Sequence, residues 1–318
     1  MTLRAGFAQV SPHWLDRETT LERVCDCLQQ AAEDSVELLV FGEGLVPGYP
    51  FWVDLTDGAR FESSVQKDLF RHYTEQAVDV SGGGLDAVAG LCSQLQVAIY
   101  LGVIERATDR SGHSLYASLV FIDPKRGIKS VHRKLCPTFE ERLVWANGDG
   151  NGLVVHSYRG FRVGGLNCWE NWMPLARASL YGQGENLHAA AWPGSRRNTR
   201  DITRFVARES RSFVISASGM LHRDAITSDI PHADRMLSAL EERGTEWLAD
   251  GGSCIAGPDG HWLVEPVVGE ECVRWADLDL GFVHRERQNF DPAGHYSRPD
   301  VTCLEVDRRR QSTVKFRD

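Results

Sequence analysis

The stretch Phe161-Arg162-Val163-Gly164-Gly165-Leu166-Asn167-Cys168-Trp169-Glu170-Asn171-Trp172-Met173-Pro174 decides how this chain is read. Phe161 to Leu166 is a short apolar approach with the pattern of a buried strand. Pro174-Leu175-Ala176-Arg177-Ala178-Ser179-Leu180-Tyr181 opens on a proline suited to a first helical turn and reads as a helix. Cys168 falls at the turn between them. A thiol there meets unpaired backbone N–H groups and the positive end of a helix dipole, and both favour the thiolate. That is where a nucleophile belongs. Free cysteine is also among the most buried residue types, so a purely structural thiol is the alternative, and only partner residues elsewhere decide between the two.

Upstream, Leu115 to Ile122 and Ile128 to His132 read as two strands joined by the turn residues Asp123-Pro124-Lys125-Arg126-Gly127. The second strand delivers Lys134 in Lys134-Leu135-Cys136-Pro137-Thr138, just before a proline that cannot continue a ladder. Glu141 follows seven residues later, and Asn147 to Gly152 is a turn-rich loop. Nearer the N-terminus, Arg4 to Val10 reads as a strand, Asp16 to Asp34 as a helix and Glu37 to Phe41 as a second, short buried strand. That strand ends in Gly42-Glu43-Gly44. Glu43 therefore stands at a strand's carboxyl end, where open α/β sheets place their ligands; a solvated loop carboxylate is the alternative.

Phe61 to Val78 and Leu85 to Leu95 read as helices and Val97 to Glu105 as a strand. Downstream, Asn186 to Ala191 is a strand ending in Trp192-Pro193-Gly194, Thr199 to Arg211 a helix and Phe213 to Ser218 another strand. Ser253 to Ala256, His261 to Pro266 and Cys272 to Leu280 add short strands with glycine-containing turns between them. Helices alternating with strands place the chain in the α/β class. Residues 1–306 read as one domain and 307–318 as a short basic tail, either mobile or an interaction arm.

Composition narrows the function. The chain has 318 residues, 42% of them hydrophobic and 25% charged, with no apolar run of about 18 residues to span a membrane. A net charge of -9 argues against a broad nucleic-acid surface. The first residues lack the features of a secretory signal, so a cytoplasmic location is expected. Eight cysteines are dispersed without a C-x-x-C pair and read as thiols, and none of the eleven histidines forms H-E-x-x-H, so no metal site is expected.

Taken in order, these segments resemble the nitrilase branch of the carbon-nitrogen hydrolases. That family carries a glutamate after the second strand, a lysine in a K-L-x-P-T segment with a glutamate seven residues on, and a cysteine in C-W-E. Here Glu43 precedes Pro47-Gly48-Tyr49-Pro50, Lys134-Leu135-Cys136-Pro137-Thr138 is followed by Glu141-Arg142, and Cys168 begins Cys168-Trp169-Glu170-Asn171. The resemblance runs on through Trp192-Pro193 to Gly294-His295-Tyr296-Ser297-Arg298-Pro299-Asp300 and covers nearly the whole chain. Phe41-Gly42 replaces the Phe-Pro that members often carry, and the tail is shorter than in many members.

The resemblance implies a four-layer αββα sandwich, hydrolysis of an organic nitrile to its carboxylic acid and ammonia, no cofactor, and a homo-oligomer of at least two chains. Cys168 would attack the nitrile carbon while Glu43 takes the thiol proton and later activates water. Lys134 would face the charge that develops on nitrogen and oxygen. The resemblance further implies that Glu141 positions Lys134 or the substrate and that the Trp169 backbone amide assists at the anion. An amidase or carbamoylase would keep the same three residues, and a catalytically silent binding protein on this fold is a further rival. Tyr49, Trp52, Trp169 and Trp192 lie near these site-forming ends and are candidate substrate-binding residues, favouring nitriles with an aromatic or bulky apolar group.

Overall fold

In the computed structural model, which describes residues 1–314 and 317, the chain opens with β1 (Thr2–Gln9). Leu3, Ala5 and Phe7 of this strand enter one buried cluster while Ala8 enters another, the period of two expected of a strand covered on both faces. Helix α1 (Arg17–Glu33) follows, with Asp16 as its N-cap accepting from the Thr19 amide. Next come β2 (Leu38–Phe41), the short α2 (Trp52–Leu55), α3 (Ser64–Gln76), α4 (Asp86–Leu95), β3 (Ala98–Arg106), β4 (Leu115–Asp123) and β5 (Gly127–Arg133). The second half holds β6 (His156–Tyr158), β7 (Phe161–Asn167), α5 (Pro174–Tyr181), β8 (Leu187–Trp192), α6 (Arg196–Ser210), β9 (Phe213–Ser218) and β10 (Met220–His222). It ends with α7 (Ala233–Arg243), β11 (Trp247–Ala256), β12 (Trp262–Val268), β13 (Cys272–Asp279) and α8 (Leu280–Arg287).

The strands form two sheets. One runs β13-β1-β2-β3-β4-β5, parallel across β1-β2-β3 and antiparallel elsewhere. The other runs β10-β11-β9-β8-β7-β6, parallel across β7-β8-β9, with β12 paired to β11. Each half of the chain thus builds a parallel centre, and β13 crosses back from the second half to close the first sheet against β1.

Alternate residues decide what faces what. Phe7, Val40, Tyr100 and Phe121 of the first sheet share a buried cluster with Val163, Ala189, Ile215 and Ile255 of the second, so the sheets pack face to face. The residues between them point outward: Leu39, Phe41, Ile99 and Leu101 meet Val24 and Leu28 of α1 and Val88 of α4. On the opposite side, Ala190 and Val214 meet Ile202 and Val206 of α6. Helices, sheet, sheet and helices give the expected four-layer αββα sandwich within one chain.

Helix α7 lies where the sequence reading assigns no element. Its fully buried residues are only Ala233, Met236 and Leu240, a stripe too narrow to stand out among the charged neighbours. The start of the tail is fastened to the body: Arg310 donates to Asp149 Oδ1 at 3.0 Å and to the Val131 carbonyl at 2.9 Å, and the Gln311 amide donates to Asp149 Oδ2 at 2.9 Å. Residues 315, 316 and 318 of the tail lie outside the described residues. Among the described residues no helix is long and apolar enough to cross a membrane.

Candidate active site

Strand ends from both sheets converge on one point. Glu43 leaves the carboxyl end of β2 and its amide donates to the carbonyl of Trp192, the last residue of β8, at 3.1 Å. That bond ties the two sheets together beside the site. It demands close approach: a Cβ on Gly42 would lie 2.9 Å from the Gly219 nitrogen and 3.0 Å from the Trp192 carbonyl oxygen, which accounts for glycine before Glu43.

Lys134 follows β5, fixed by its amide on the Ala117 carbonyl at 2.8 Å and by its carbonyl on the Gly148 amide at 2.8 Å. Its ammonium donates to Glu141 Oε2 at 2.6 Å, lies 2.9 Å from Glu43 Oε1, and sits 5.5 Å from the centre of the Trp145 ring. Glu141 belongs to a 3-10 turn, Phe139–Leu143, and its Oε2 also accepts the Thr138 amide at 2.6 Å. Its Oε1 accepts the Tyr49 hydroxyl at 2.7 Å. Every lone pair used on Glu141 points it at the lysine or fixes its carboxylate plane.

Cys168 does not pass straight into a helix. It opens a 3-10 turn, Cys168–Trp172, ahead of α5, and its φ of 49° is left-handed. A non-glycine residue in that region costs on the order of 1–3 kcal/mol and persists only where its surroundings hold it. Its thiol and the carboxylates of Glu43 and Glu141 lie within 4.8 Å of one another. Three such donors could grip a metal ion, yet the Lys134 ammonium already supplies the cation at both carboxylates.

All four groups are at most 2% exposed. Burial raises the Glu43 carboxyl to about 8, opposed by attraction to Lys134 and helped by repulsion from Glu141. Burial alone would lower the Lys134 ammonium, but Cys168, Glu43 and Glu141 together push it well above the ordinary lysine range. Burial drives the Cys168 thiol far up, with Lys134 and the Trp169 amide pulling the other way. Burial thus favours the protonated Cys168 thiol, so activation calls for a base within reach, and Glu43 is the candidate for it.

A cavity of about 320 Å³ opens onto Cys168, walled by Tyr49, Phe51, Trp169, Gly194 and Leu248. Tyr49 and Trp169, both candidates from the sequence, line this cavity, Tyr49 with its hydroxyl committed to Glu141. Trp52 and Trp192 do not line the cavity, and here the sequence expectation is corrected. Trp52 is 1% exposed and packs edge-on against Tyr73, 6.0 Å between centroids. Trp192 shares the face of β8 occupied by Ala190, so it points toward α6 and packs beneath Cys168, its Nε1 donating to Ser216 Oγ at 3.3 Å. Arg197 and Asn198, at the start of α6, also line the cavity; the sequence signal for them was their place just after the end of β8.

Glu170 also went without a role in the sequence reading. Its Oε1 accepts the Leu135 amide at 2.6 Å and its Oε2 the Asn167 amide at 2.9 Å, while His132 Nε2 lies 3.0 Å from Oε2. One carboxylate thus grips the residue after Lys134 and the residue before Cys168. Burial would raise its pKa, but His132 and the two amides hold it below the usual carboxylate range.

Comparison with known proteins identifies the family. Residues 4–288 match the carbon-nitrogen hydrolase family. The chain is 34% identical over 314 residues to a protein named nitrilase 2 from an unknown prokaryotic organism, covering 98% of this chain and 95% of that one. It is 32% identical to the aliphatic nitrilase of Rhodococcus rhodochrous, covering 99% of this chain and 82% of that one. Its fold overlays a carbon-nitrogen hydrolase from Helicobacter pylori G27 with a TM-score of 0.68 at 20% identity, covering 94% of this chain and 96% of the other. The chain belongs to the carbon-nitrogen hydrolase family and is a hydrolase of carbon-nitrogen bonds.

Proposed function

We propose that this protein is a nitrilase, converting an organic nitrile and two waters into a carboxylic acid and ammonia on Cys168. The observation that carries the reading is the buried Lys134 ammonium, 2.9 Å from Glu43 and 2.6 Å from Glu141, beside a thiol at the end of a cavity. Relatives named as nitrilases, aligned over 98% or more of this chain, support nitriles as the substrate class.

The reaction runs in balanced steps. Glu43 takes the Cys168 proton, sulfur adds to the nitrile carbon, and the proton passes to nitrogen, leaving a thioimidate. Glu43 then takes a proton from water as hydroxide adds to the same carbon. Glu43 returns that proton to nitrogen, the new hydroxyl gives up its own to nitrogen as the carbonyl forms, and ammonia leaves a thioester, which a second water, activated in the same way, cleaves to the acid and the free thiol. Negative charge forms first on nitrogen and then on oxygen, and the Lys134 ammonium and the Trp169 amide are the preorganised donors for it. Glu141, bound to Tyr49, Thr138 and Lys134, keeps the ammonium in place.

A panel of aliphatic, aromatic and arylacetonitriles beside the matching amides, with ammonia, acid and amide all quantified, tests the reading. Turnover of nitriles to acid is expected. Hydrolysis of amides with no nitrile turned over would assign the protein to the amidase reading instead.

The chain is further proposed to work as a dimer or larger homo-oligomer. Trp172, Leu175 and Phe205 are 43%, 66% and 47% exposed on and beside α5 and α6, and Trp172 stacks on Phe205 at 6.4 Å. Such an apolar face suits association with a second copy. Sedimentation at assay concentration is expected to give at least twice 35.5 kDa, and a fully active monomer would contradict it.

A further inference from the structure

A row of buried polar groups runs from the far side of β8 to the nucleophile and is not used by the chemistry above. Glu185, His188 and Asn171 are at most 1% exposed. Glu185 Oε1 lies 2.9 Å from His188 Nδ1, His188 Nε2 lies 2.7 Å from Asn171 Oδ1, and Asn171 Nδ2 donates to the Cys168 carbonyl at 2.8 Å. Room has been made for the row: a Cβ on Gly164, the β7 partner of His188, would fall 2.2 Å from Glu185 Oε1.

The directions of these bonds follow from their acceptors. Asn171 Nδ2 faces two backbone carbonyls, those of Cys168 and, at 3.4 Å, Leu166, so the NH2 end must lie there and Oδ1 must face the histidine. His188 Nε2 therefore carries a hydrogen. On the other side of the ring, Nδ1 faces Glu185 Oε1, which fixes the ring's orientation. The Asn171 backbone carbonyl accepts in turn from Arg177 Nη1 at 2.8 Å, which fixes the asparagine's main chain.

What the row grips is the Cys168–Trp169 peptide. A peptide unit is planar, so the direction of the Cys168 carbonyl sets the direction of the Trp169 N–H. Cys168 itself has a left-handed φ of 49°, a conformation that persists only where its surroundings hold it. We propose that His188, oriented by Glu185, is a positioning residue that acts through Asn171 to aim the Trp169 N–H at the charge developing on the substrate. The inference rests on the reading of Cys168 as the nucleophile.

The experiment compares wild type, His188→Leu and His188→Gln for nitrile and amide turnover, and for alkylation of Cys168 by iodoacetamide. Alkylation needs the thiolate, which the Trp169 amide also favours, but no donor to a developing substrate anion, so it responds less than turnover to a misaimed N–H. His188→Leu is expected to lose about a hundredfold in kcat, the scale of one lost oxyanion donor, with KM within threefold of wild type and the alkylation rate reduced by less than about tenfold. His188→Gln, whose amide nitrogen can donate in place of Nε2, is expected to recover at least tenfold of that loss. Unchanged kcat in His188→Leu, or equal losses of kcat and alkylation rate, would overturn the proposal. Should His188→Leu fail to fold, Asn171→Asp, of native shape but without the donor, carries the same expectation and the same refutation. An enzyme active on amides alone would refute the nitrile reading while leaving the comparison intact, because both substrates develop charge beside the same N–H.

Discussion

The Lys134 ammonium lies 2.9 Å from Glu43 Oε1, yet neither Glu43 oxygen has an aligned hydrogen-bond partner among the described residues. Glu141, by contrast, is hydrogen-bonded through both oxygens. Two buried carboxylates beside one cation thus have different capacities. Glu141 is committed to its three partners, and Glu43 keeps its lone pairs open, as the proposed base requires.

Activity should rise with pH through about 8. Burial lifts the Glu43 carboxyl to that value, and a base works only when ionised, so kcat/KM falls as the pH drops below it. The profile of kcat/KM between pH 6 and 9.5 checks this. A flat profile across that range would mean that Glu43 does not act as the base.

The same burial sets a stability effect of opposite sign. The folded-state value of about 8 exceeds the ordinary 4.5, so Glu43 contributes fully below about pH 4.5 and that contribution is lost as the pH rises through 8. Glu43→Gln removes the loss along with the activity. At pH 9 the variant should exceed wild type by on the order of 2 to 4 kcal/mol, and at pH 5 the gap should nearly close. Denaturant unfolding at the two pH values measures it, and a variant less stable than wild type at pH 9 would count against a buried, unbonded carboxylate.

Glu170→Gln should weaken both halves of the site. One amide of the pair at Leu135 and Asn167 would then face an NH2 group instead of an oxygen, leaving a buried donor unpaired at a cost of about 1–3 kcal/mol. Unfolding free energy should fall by that amount and kcat should fall while KM changes less. Wild-type values for both would show that the carboxylate does not couple Lys134 to Cys168.

Substrate preference should respond to Trp169 and not to Trp52. Trp169 lines the cavity and is 49% exposed, so Trp169→Ala removes an aromatic wall worth about 0.5–1.5 kcal/mol to an aryl ring. The advantage of arylacetonitriles over propionitrile should shrink roughly three- to tenfold. Trp52→Ala should instead cost about 3–5 kcal/mol of stability with the preference kept. A preference lost in Trp52→Ala and kept in Trp169→Ala would reverse the assignment.

Much of this was legible in the sequence because strand ends announce themselves. Phe41 to Glu43 and Leu166 to Cys168 each pass from an apolar run into a turn, and the structure puts both turns at carboxyl ends of parallel strands. Thr138 and Glu141, and Asn167 and Glu170, are spaced as N-cap and third helical residue, and in both the glutamate reaches back to the earlier amide. Read as capping signals, those pairs would have placed Glu170 beside Glu141. The aromatic residues were harder, since a tryptophan after a strand can turn to either face. One residue of register sent Trp192 under Cys168 instead of into the cavity. The Asn171–His188 contact joins the 3-10 turn after β7 to the neighbouring strand β8, and no local pattern announces it.

Ammonia release from a nitrile by wild type and by Cys168→Ala, side by side and with acid quantified, tests the central claim most directly. Cys168 packs little volume, so the variant should fold and bind while releasing no ammonia above the uncatalysed rate. Release by Cys168→Ala near the wild-type rate would contradict covalent catalysis at this residue.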